Sequence, residues 1–193
     1  MHWAKFESNL PTTLYDDLVI HSRDNDLVVG THGRSLWVLD DLTPLVEWTR
    51  AARASDAYLF STSPATIFQY WKDTSYRGQA AFAGENAPFG ALLTFFLRES
   101  ARRANIQIEN STGELVREFE VSTEEGMHRV TWDLRHPPVG AGPASSVGAA
   151  LPQPIGERGP FVSPGTYTVQ LNVDGQTFTQ SLLVRGDPKM PLT

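Results

Sequence analysis

The feature that most restricts how this chain can fold is the dipeptide Asp174-Gly175, which stands between two runs that alternate apolar and polar residues. A two-residue type I′ turn needs positive φ angles at both central positions, and Asp-Gly is one of the pairs that adopt it most readily. Such a turn fixes the strand register, so Leu171 is predicted to lie opposite Phe178. The remaining pairs then divide into one mostly apolar face and one polar face, which indicates the edge hairpin of a β-sandwich.

Three further runs with period-two alternation occupy residues 104–109, 115–121 and 128–134. Trp132, in the last of these runs, is predicted to lie in the core between two sheets. A brief helical stretch is expected only at 44–54, because Pro44 suits a first-turn position. Residues 136–160 are rich in Pro, Gly, Ala and Ser, which predicts a long flexible loop. These signals together predict an all-β fold.

Three short apolar runs near the amino terminus predict a separate antiparallel meander. They are Leu18-Val19-Ile20, Leu27-Val28-Val29 and Leu36-Trp37-Val38-Leu39. Since these runs are continuously apolar, we expect both faces of the sheet to be covered. The cover has to come from the rest of the chain, from another copy or from sequence upstream.

The composition argues against several classes of protein. The 193 residues carry a net charge of −6 and no basic block, which argues against an extended nucleic-acid surface. The longest apolar runs are far too short to cross a membrane. There are no cysteines, so the chain has no disulfide framework and no thiolate metal site. Hydrophobic residues make up 40% of the chain, which is enough for a core of its own.

Two groups of residues resemble parts of a known protein family. The run DLVVGTHGRSLWVLDD, residues 26–41, resembles the final blade of bacterial-neuraminidase-repeat and sortilin-type β-propellers, which are often described as glycosyl-hydrolase-like. The sequences WDLR at 132–135 and PGTY at 164–167 resemble the terminal immunoglobulin-like domain of those proteins, which is similar to that of flagellar hook-capping proteins. The closing residues 185–188 fit the same domain.

The resemblance implies an immunoglobulin-like β-sandwich preceded by a short antiparallel meander that resembles an incomplete propeller blade. It divides the chain into propeller-blade-like strands at 1–50, a connecting segment at 51–89, the sandwich at 90–187 with its loop at 136–160, and a tail at 188–193. The parent family also implies an exported or periplasmic protein, although the amino terminus has no signal-peptide layout. The Asp-box turn of the propeller repeats is missing from the sequence, so no catalytic residue carries over.

No constellation of residues in the sequence specifies a reaction. The Gly-x-Ser-x-Gly elbow of serine hydrolases does not occur. Neighbouring acids such as Asp40-Asp41 point to opposite faces of a strand, which does not suit the paired carboxylates of a glycosidase. If the chain is a hydrolase, its candidate catalytic residues are the histidines and carboxylates closest to flexible loops, namely His32, Asp40, Asp41 and His136.

Several residues are candidates for binding a ligand or a metal. An anion could be contacted by Arg34, which lies beside a histidine on a tight turn. A sugar could stack on the aromatic residues near the loop at 72–88, which are Tyr70, Trp71 and Tyr76. Oxygen ligands for Ca²⁺, which takes six or more of them, could come from Asp24 and Asp26, although Asp and Asn are equally good turn residues. No other cofactor is predicted.

Two functions from different classes fit the sequence. The first is a non-catalytic interaction or accessory domain of a glycosyl-hydrolase-like propeller protein, which binds protein or carbohydrate. Self-association through the amino-terminal strands is then expected, because unpaired apolar strands invite pairing. The alternative is a small hydrolase that acts on an ester, a lactone or a glycosidic bond.

Overall fold

A computed structural model describes residues 9–68, 87–138, 140 and 158–190. Within these ranges the strands are β1 (Tyr15–His21), β2 (Asp26–Thr31), β3 (Leu36–Leu39), β4 (Ala57–Leu59), β5 (Ala65–Ile67), β6 (Ala91–Leu97), β7 (Ala104–Glu109), β8 (Leu115–Glu120), β9 (Gly126–Trp132), β10 (Gly165–Val173) and β11 (Gln176–Gly186). The helices are α1 (Thr43–Val46) and α2 (Arg50–Ala54). The predicted all-β class is confirmed. With four and five residues, neither described helix is long enough to cross a bilayer.

The body of the molecule is a sandwich of two sheets around one core. The larger sheet has the order β5-β11-β10-β7-β8, and the smaller has the order β4-β6-β9. The alternation in the sequence places apolar side chains of both sheets in the same core. The largest fully buried side chains of that core are Trp132, Phe95, Leu93, Leu97, Ile106, Ile108, Leu134, Leu171, Leu182, Val169 and Val184. Trp132 is therefore a core residue, as predicted.

The last hairpin has the register that its turn predicts, but the prediction that it lies at the edge of the sandwich is wrong, because β7 pairs with β10 and β5 pairs with β11. Leu171 pairs with Phe178, and the ladder continues over the whole length of β10. Asp174 and Gly175 have φ angles of 48° and 91°, as a type I′ turn requires. The carboxylate of Asp174 also accepts hydrogen bonds from the backbone of Arg102 and Arg103, so the turn is tied to the start of β7.

The segment 51–89, interpreted from the sequence as a connection, contributes a strand to each sheet of the sandwich. β4 pairs antiparallel with β6 in the smaller sheet. β5 pairs parallel with β11 at the edge of the larger sheet. Both strands have three residues, which is too short for the sequence to show a period.

The expected helical stretch at 44–54 consists of two separate short helices. α1 ends at Val46, and a new helix begins after Thr49, whose side chain accepts a hydrogen bond from the Ala52 N–H as an N-cap. Between the helices, Trp48 packs edge-on against Phe96 of β6 with ring centroids 4.7 Å apart. This contact covers part of the outer face of the smaller sheet.

The amino-terminal strands form the predicted meander, with the order β1-β2-β3. The register assigns its apolar side chains to two faces, because residues directly opposite each other share a face. The large-residue face carries Leu18, Ile20, Leu27, Val29, Trp37 and Leu39. The small-residue face carries Val19, Val28, Gly30, Leu36 and Val38.

Both faces of the meander carry exposed apolar side chains in the single chain, while β2 between the outer strands is half-buried or buried. β1 is exposed along its whole length, and only Val29 is fully buried. Leu18 is 62% exposed on the large-residue face, and Leu36 is 71% exposed on the small-residue face. Among the described strands, those of the meander make their extensive contacts with one another, so the described strands of the sandwich do not provide the expected cover.

Candidate functional site

The two candidate acids at the end of β3 lie where the meander joins the sandwich. Asp41 is only 5% exposed, and its backbone has a φ angle of 54°, a left-handed conformation that Asp tolerates better than most residues. Its Oδ1 accepts hydrogen bonds from the Thr43 N–H (3.1 Å), the Thr43 hydroxyl (2.6 Å) and the Ser63 hydroxyl (3.0 Å). The carboxylate therefore ties the start of α1 to the chain that leads into β5.

Arg129 of β9 connects the same point to the smaller sheet. Its guanidinium donates to the backbone carbonyl of Asp40 (2.6 Å) and to that of Asp41 (3.1 Å). Its Nε donates to the hydroxyl of Thr94 on β6 (3.1 Å). One side chain thus fixes the end of the meander to two strands of the sandwich. We call the group Asp26, Asp40, Asp41, Thr43, Ser63 and Arg129 the junction cluster.

Asp26 and Asp40 complete the electrostatics of the junction cluster. Oδ1 of Asp26 accepts the Asp41 N–H at 3.0 Å, which holds the left-handed turn in place. Burial raises the pKa of the Asp40 carboxyl, the nearby charge of Asp26 raises it further, and Arg129 counteracts part of the rise. A carboxyl with a raised pKa can exchange a proton. The hydrogen bonds of the junction cluster, however, mainly hold the backbone of residues 40–43 in position.

The candidate histidines do not join this cluster. His32 follows β2 at the end opposite to Asp26, which separates the two by about 20 Å along the strand. Its ring is exposed and lies 3.4 Å from a carboxylate oxygen of Asp16. His136 follows β9 and is exposed, and its backbone N–H donates to the carbonyl of Pro160. Both histidines therefore lie apart from Asp40 and Asp41, whose proximity follows from their being consecutive residues.

The proposed calcium ligands are occupied by the protein itself. Asp24 forms ion pairs with Arg23 (2.7 Å) and with His21 (3.0 Å), and the Arg23 hydrogen bond lowers the pKa of the Asp24 carboxyl. Asp26 holds the backbone of Asp41, as described above. In the part of the chain that the structure describes, no three His, Asp or Glu side chains gather as a metal site would require.

The candidate ligand-binding residues fall into two groups. Arg34 is exposed on the β2–β3 turn, and its carbonyl accepts a hydrogen bond from the indole N–H of Trp37 at 2.9 Å. Tyr70, Trp71 and Tyr76 lie outside the described residues.

A second polar group surrounds Arg135, shortly after the end of β9. The indole N–H of Trp132 donates to the Arg135 carbonyl, and the Arg135 guanidinium donates to the Gly159 carbonyl at 2.8 Å. The same guanidinium lies over the ring of Phe161. Burial raises the pKa of the neighbouring Asp133 carboxyl, with Arg117 and Arg135 counteracting the rise. This group fastens the segment after β9 to the segment before β10.

Sequence reasoning missed Arg129, Thr43 and Ser63 as partners of Asp41. Arg129 appears in the sequence only as one polar position of an alternating strand. Ser63 is 22 residues from Asp41, and Arg129 is 88 residues from it. The local sequence indicates only the contact between Asp41 and Thr43. Asp and Thr just before Pro44 are typical of a turn that starts a helix.

Comparisons with known proteins assign no family. No family model matches the chain, and no curated protein matches it. Among solved structures, the chain is similar to the crystal structure of CopC from Methylosinus trichosporium OB3b, with 16% identity and a TM-score of 0.30. The match covers 53% of this chain and 80% of that one. A TM-score of this size is too low to assign a shared fold.

Proposed function

We propose that this chain is a non-catalytic interaction domain of a glycosyl-hydrolase-like propeller protein. In this proposal the meander is an incomplete propeller blade that supplies the attachment surface, and the immunoglobulin-like sandwich is the rigid body held beside it. The partners would be protein or carbohydrate. The observation that carries the proposal is a sheet that is apolar on both faces and has large exposed apolar side chains on each.

An exposed sheet of this kind is unusual for a monomer. Antiparallel sheets with one solvated face normally alternate apolar with polar residues, whereas the central residues of β1 and β3 are apolar on both faces. Large exposed apolar patches mark sites of protein association. From strand length and spacing, each face has a plan area of about 300 Å². A stable interface buries about 800 Å² per partner, so both faces are needed to approach that area.

The junction cluster supports the second part of the proposal. Arg129 and Asp41 hold the end of the meander against β6, β9 and the segment before β5. These contacts lie at one end of the strands, and apolar side chains remain exposed on each face of the meander. A partner that covered the meander would therefore find the sandwich at a fixed position beside it.

The geometry gives the hydrolase alternative less support. A hydrolytic site needs an acid, a base or a nucleophile within hydrogen-bond reach of one substrate position. His32, His136 and the Asp40-Asp41 pair occupy three different places in the fold. The carboxylate of Asp41 is buried and accepts three hydrogen bonds from its own chain.

The attachment surface is tested by sedimentation velocity at micromolar concentrations. We expect the wild-type chain to self-associate, because its meander lacks a partner. Leu18→Lys places a charge on the large-residue face and is expected to weaken the association. Leu183→Lys is the matched control, since Leu183 is an exposed leucine on β11 of the sandwich. A monodisperse wild-type monomer, or equal effects of the two substitutions, would contradict the proposal.

The hydrolase alternative is tested with a panel of ester, lactone and aryl-glycoside substrates, each with Ca²⁺ and with EDTA. We expect no turnover that survives repurification. Turnover that is lost in His32→Ala or Asp40→Asn would replace the interaction domain by an enzyme. Asp41 is not a useful probe of catalysis, because its substitution is also expected to disturb the junction cluster.

A further inference from the structure

We propose that the outer face of the larger sheet binds a neutral glycan through amide, carboxylate and hydroxyl side chains. We call this surface the amide face, and it consists of Asn105, Gln107, Glu118, Gln170, Asn172, Thr177 and Thr179. These residues alternate along their strands with side chains of the core, so they lie on the side of the sheet that is turned away from it. The proposal gives the interaction domain described above a surface for carbohydrate, and it does not use the meander.

The inner strands β7 and β10 carry amide side chains where strand propensity disfavours them. Asn105 lies directly opposite Asn172, and Gln107 lies directly opposite Gln170. Asparagine is among the residues that are depleted in strands, and here two asparagines face each other. A sheet face that only has to meet water is well served by threonine and by charged residues of both signs. A choice of residues that works against local propensity is typical of a functional surface.

Hydrogen bonds hold most side chains of the amide face in position. The hydroxyl of Thr177 donates to Oδ1 of Asn172 (2.7 Å), and Nδ2 of Asn172 donates to Oε1 of Gln107 (3.2 Å). Oε1 of Glu118 accepts hydrogen bonds from Nε2 of Gln107 (3.3 Å) and from Nδ2 of Asn105. This chain of hydrogen bonds crosses four strands of the sheet. Side chains that are held in this way lose less rotamer freedom when a ligand binds.

The network leaves polar atoms that a ligand can use. Nε2 of Gln170 donates to Glu109 at 3.0 Å, while its amide oxygen has no hydrogen-bond partner among the described residues. The same holds, within those residues, for Oε2 of Glu118 and for the hydroxyl of Thr179. Each hydroxyl of a sugar both donates and accepts, so it can bond to a carboxylate oxygen, to an amide or to another hydroxyl.

One row of the amide face runs directly across the four strands. It consists of Glu118, Gln107, Gln170 and Thr179, each directly opposite the next in the register. Neighbouring strands lie about 4.8 Å apart, which is close to the length of one pyranose unit in an extended glycan. A glycan that lies across the strands therefore meets a new polar side chain with each sugar.

The chemistry of the amide face favours a neutral glycan over other occupants. Glu118 lies on the face, Glu109 and Glu120 lie at its margin, and none of the seven residues is basic, so a nucleic acid or an acidic glycan would be repelled. None of the seven is apolar or aromatic, whereas the residues that dominate binding between proteins are mostly Trp, Tyr and Arg. A neutral polyhydroxylated chain needs only donors and acceptors, which the amide face supplies.

The test is affinity electrophoresis of the full chain in native gels that contain a soluble β-glucan, a mannan or a galactomannan, with polygalacturonate as the acidic counterpart. We expect at least one neutral polysaccharide to retard the chain and polygalacturonate to leave it unaffected. Gln170→Ala removes the amide at the centre of the row, and Thr179→Val removes a hydroxyl while it retains the side-chain shape. Each is expected to raise the dissociation constant by about tenfold, the effect of one lost hydrogen bond.

Gln176→Ala is the matched control for Gln170→Ala. Gln176 belongs to the same hairpin and is exposed, but it lies opposite Val173, which packs against the core, and so it projects from the other side of the sheet. We expect this variant to bind the polysaccharide as the wild-type chain does.

Every other outcome overturns the proposal. If none of the three neutral polysaccharides retards the chain, or if polygalacturonate retards it equally, the chemistry argued for the amide face is wrong. If Gln170→Ala and Thr179→Val bind as well as Gln176→Ala, the glycan binds elsewhere. Circular dichroism shows whether each variant is folded, and Thr179→Val decides if Gln170→Ala is not. Self-association is measured separately by sedimentation velocity, so a failure of the meander as an attachment surface is distinguishable from a failure of the amide face.

Discussion

Substitution of Asp41 is expected to be among the most destabilising changes outside the core. Its carboxylate accepts three hydrogen bonds from Thr43 and Ser63, and it is almost fully buried. Its backbone is left-handed, with a φ angle of 54°. Three substitutions separate these contributions: Asp41→Gly removes the hydrogen bonds, Asp41→Ala also adds backbone strain, and Asp41→Asn retains a neutral acceptor.

The expected magnitudes follow from net values for each interaction. A hydrogen bond to a charged group contributes about 1.5 kcal/mol or more to the free energy of unfolding, so losing three in Asp41→Gly costs about 4.5 kcal/mol. A left-handed backbone costs a residue with a Cβ about 1 kcal/mol more than glycine, so Asp41→Ala is expected to lose about 5.5 kcal/mol. A neutral acceptor contributes about 1 kcal/mol per hydrogen bond, so Asp41→Asn, which retains the three bonds to a neutral oxygen, is expected to lose about 1.5 kcal/mol.

The assay is urea unfolding at constant pH, followed by tryptophan fluorescence and by circular dichroism. Hydrogen exchange of the amides of Thr43 and Leu42 then shows whether the loss is local to the junction cluster. Asp16→Ala provides a control, because Asp16 is an exposed acid on β1. It is expected to change the free energy of unfolding by less than about 0.5 kcal/mol.

Two results would refute this reasoning. If Asp41→Ala unfolded at the same urea concentration as the wild-type chain, the three hydrogen bonds would not contribute as argued. If Asp41→Gly were as destabilising as Asp41→Ala, the left-handed backbone would carry no strain. An order of stability from wild type through Asn and Gly down to Ala is the expected outcome.

Three other predictions use the same unfolding assay. The free energy of unfolding is expected to fall by more than about 3 kcal/mol in Gly90→Ala, because a Cβ there would lie 2.0 Å from the Trp132 carbonyl oxygen. An unchanged urea midpoint would contradict that close contact. The free energy of unfolding is expected to fall by about 1 kcal/mol in Gly175→Ala, because the φ angle of Gly175 is 91°, which alanine adopts only with strain. An unchanged stability would count against the type I′ turn. Burial raises the pKa of Asp40 and Asp133, so over part of the pH range the folded chain retains protons that the unfolded chain has lost. The free energy of unfolding is therefore expected to fall as the pH rises from about 4 through the raised pKa values. Asp133→Asn should flatten that dependence, and a profile unaffected by both Asp133→Asn and Asp40→Asn would contradict the assignment.

The parts of the fold that could be predicted are those with a local cause. The pair Asp174-Gly175 fixes the last hairpin, because the turn by itself sets which residues oppose each other. Trp132 was predictable as a core residue because its strand alternates over seven positions. The meander was predictable because its connections are too short for any pairing other than an antiparallel one.

The candidate site could be predicted only in part. Asp40 and Asp41 were identified as candidates, but the sequence did not show that they serve the connection between two sheets. His32 and His136 shared the same sequence signal and lie elsewhere in the fold. The partners of a side chain depend on which strands become neighbours in the fold. The type of a single residue does not indicate which strands those are.

By itself, the sequence determined the all-β class, the register of the last hairpin and the two apolar faces of the meander, because turn chemistry and side-chain period act over a few residues. Only the tertiary structure decided that β4 and β5 join opposite sheets and that Arg129 reaches the backbone of Asp40 and Asp41. Strands of three residues have no period of their own, and they become strands only when a distant partner supplies their hydrogen bonds. The exposure of the meander is likewise a tertiary result, since apolar side chains predict that a surface needs cover but not which molecule provides it.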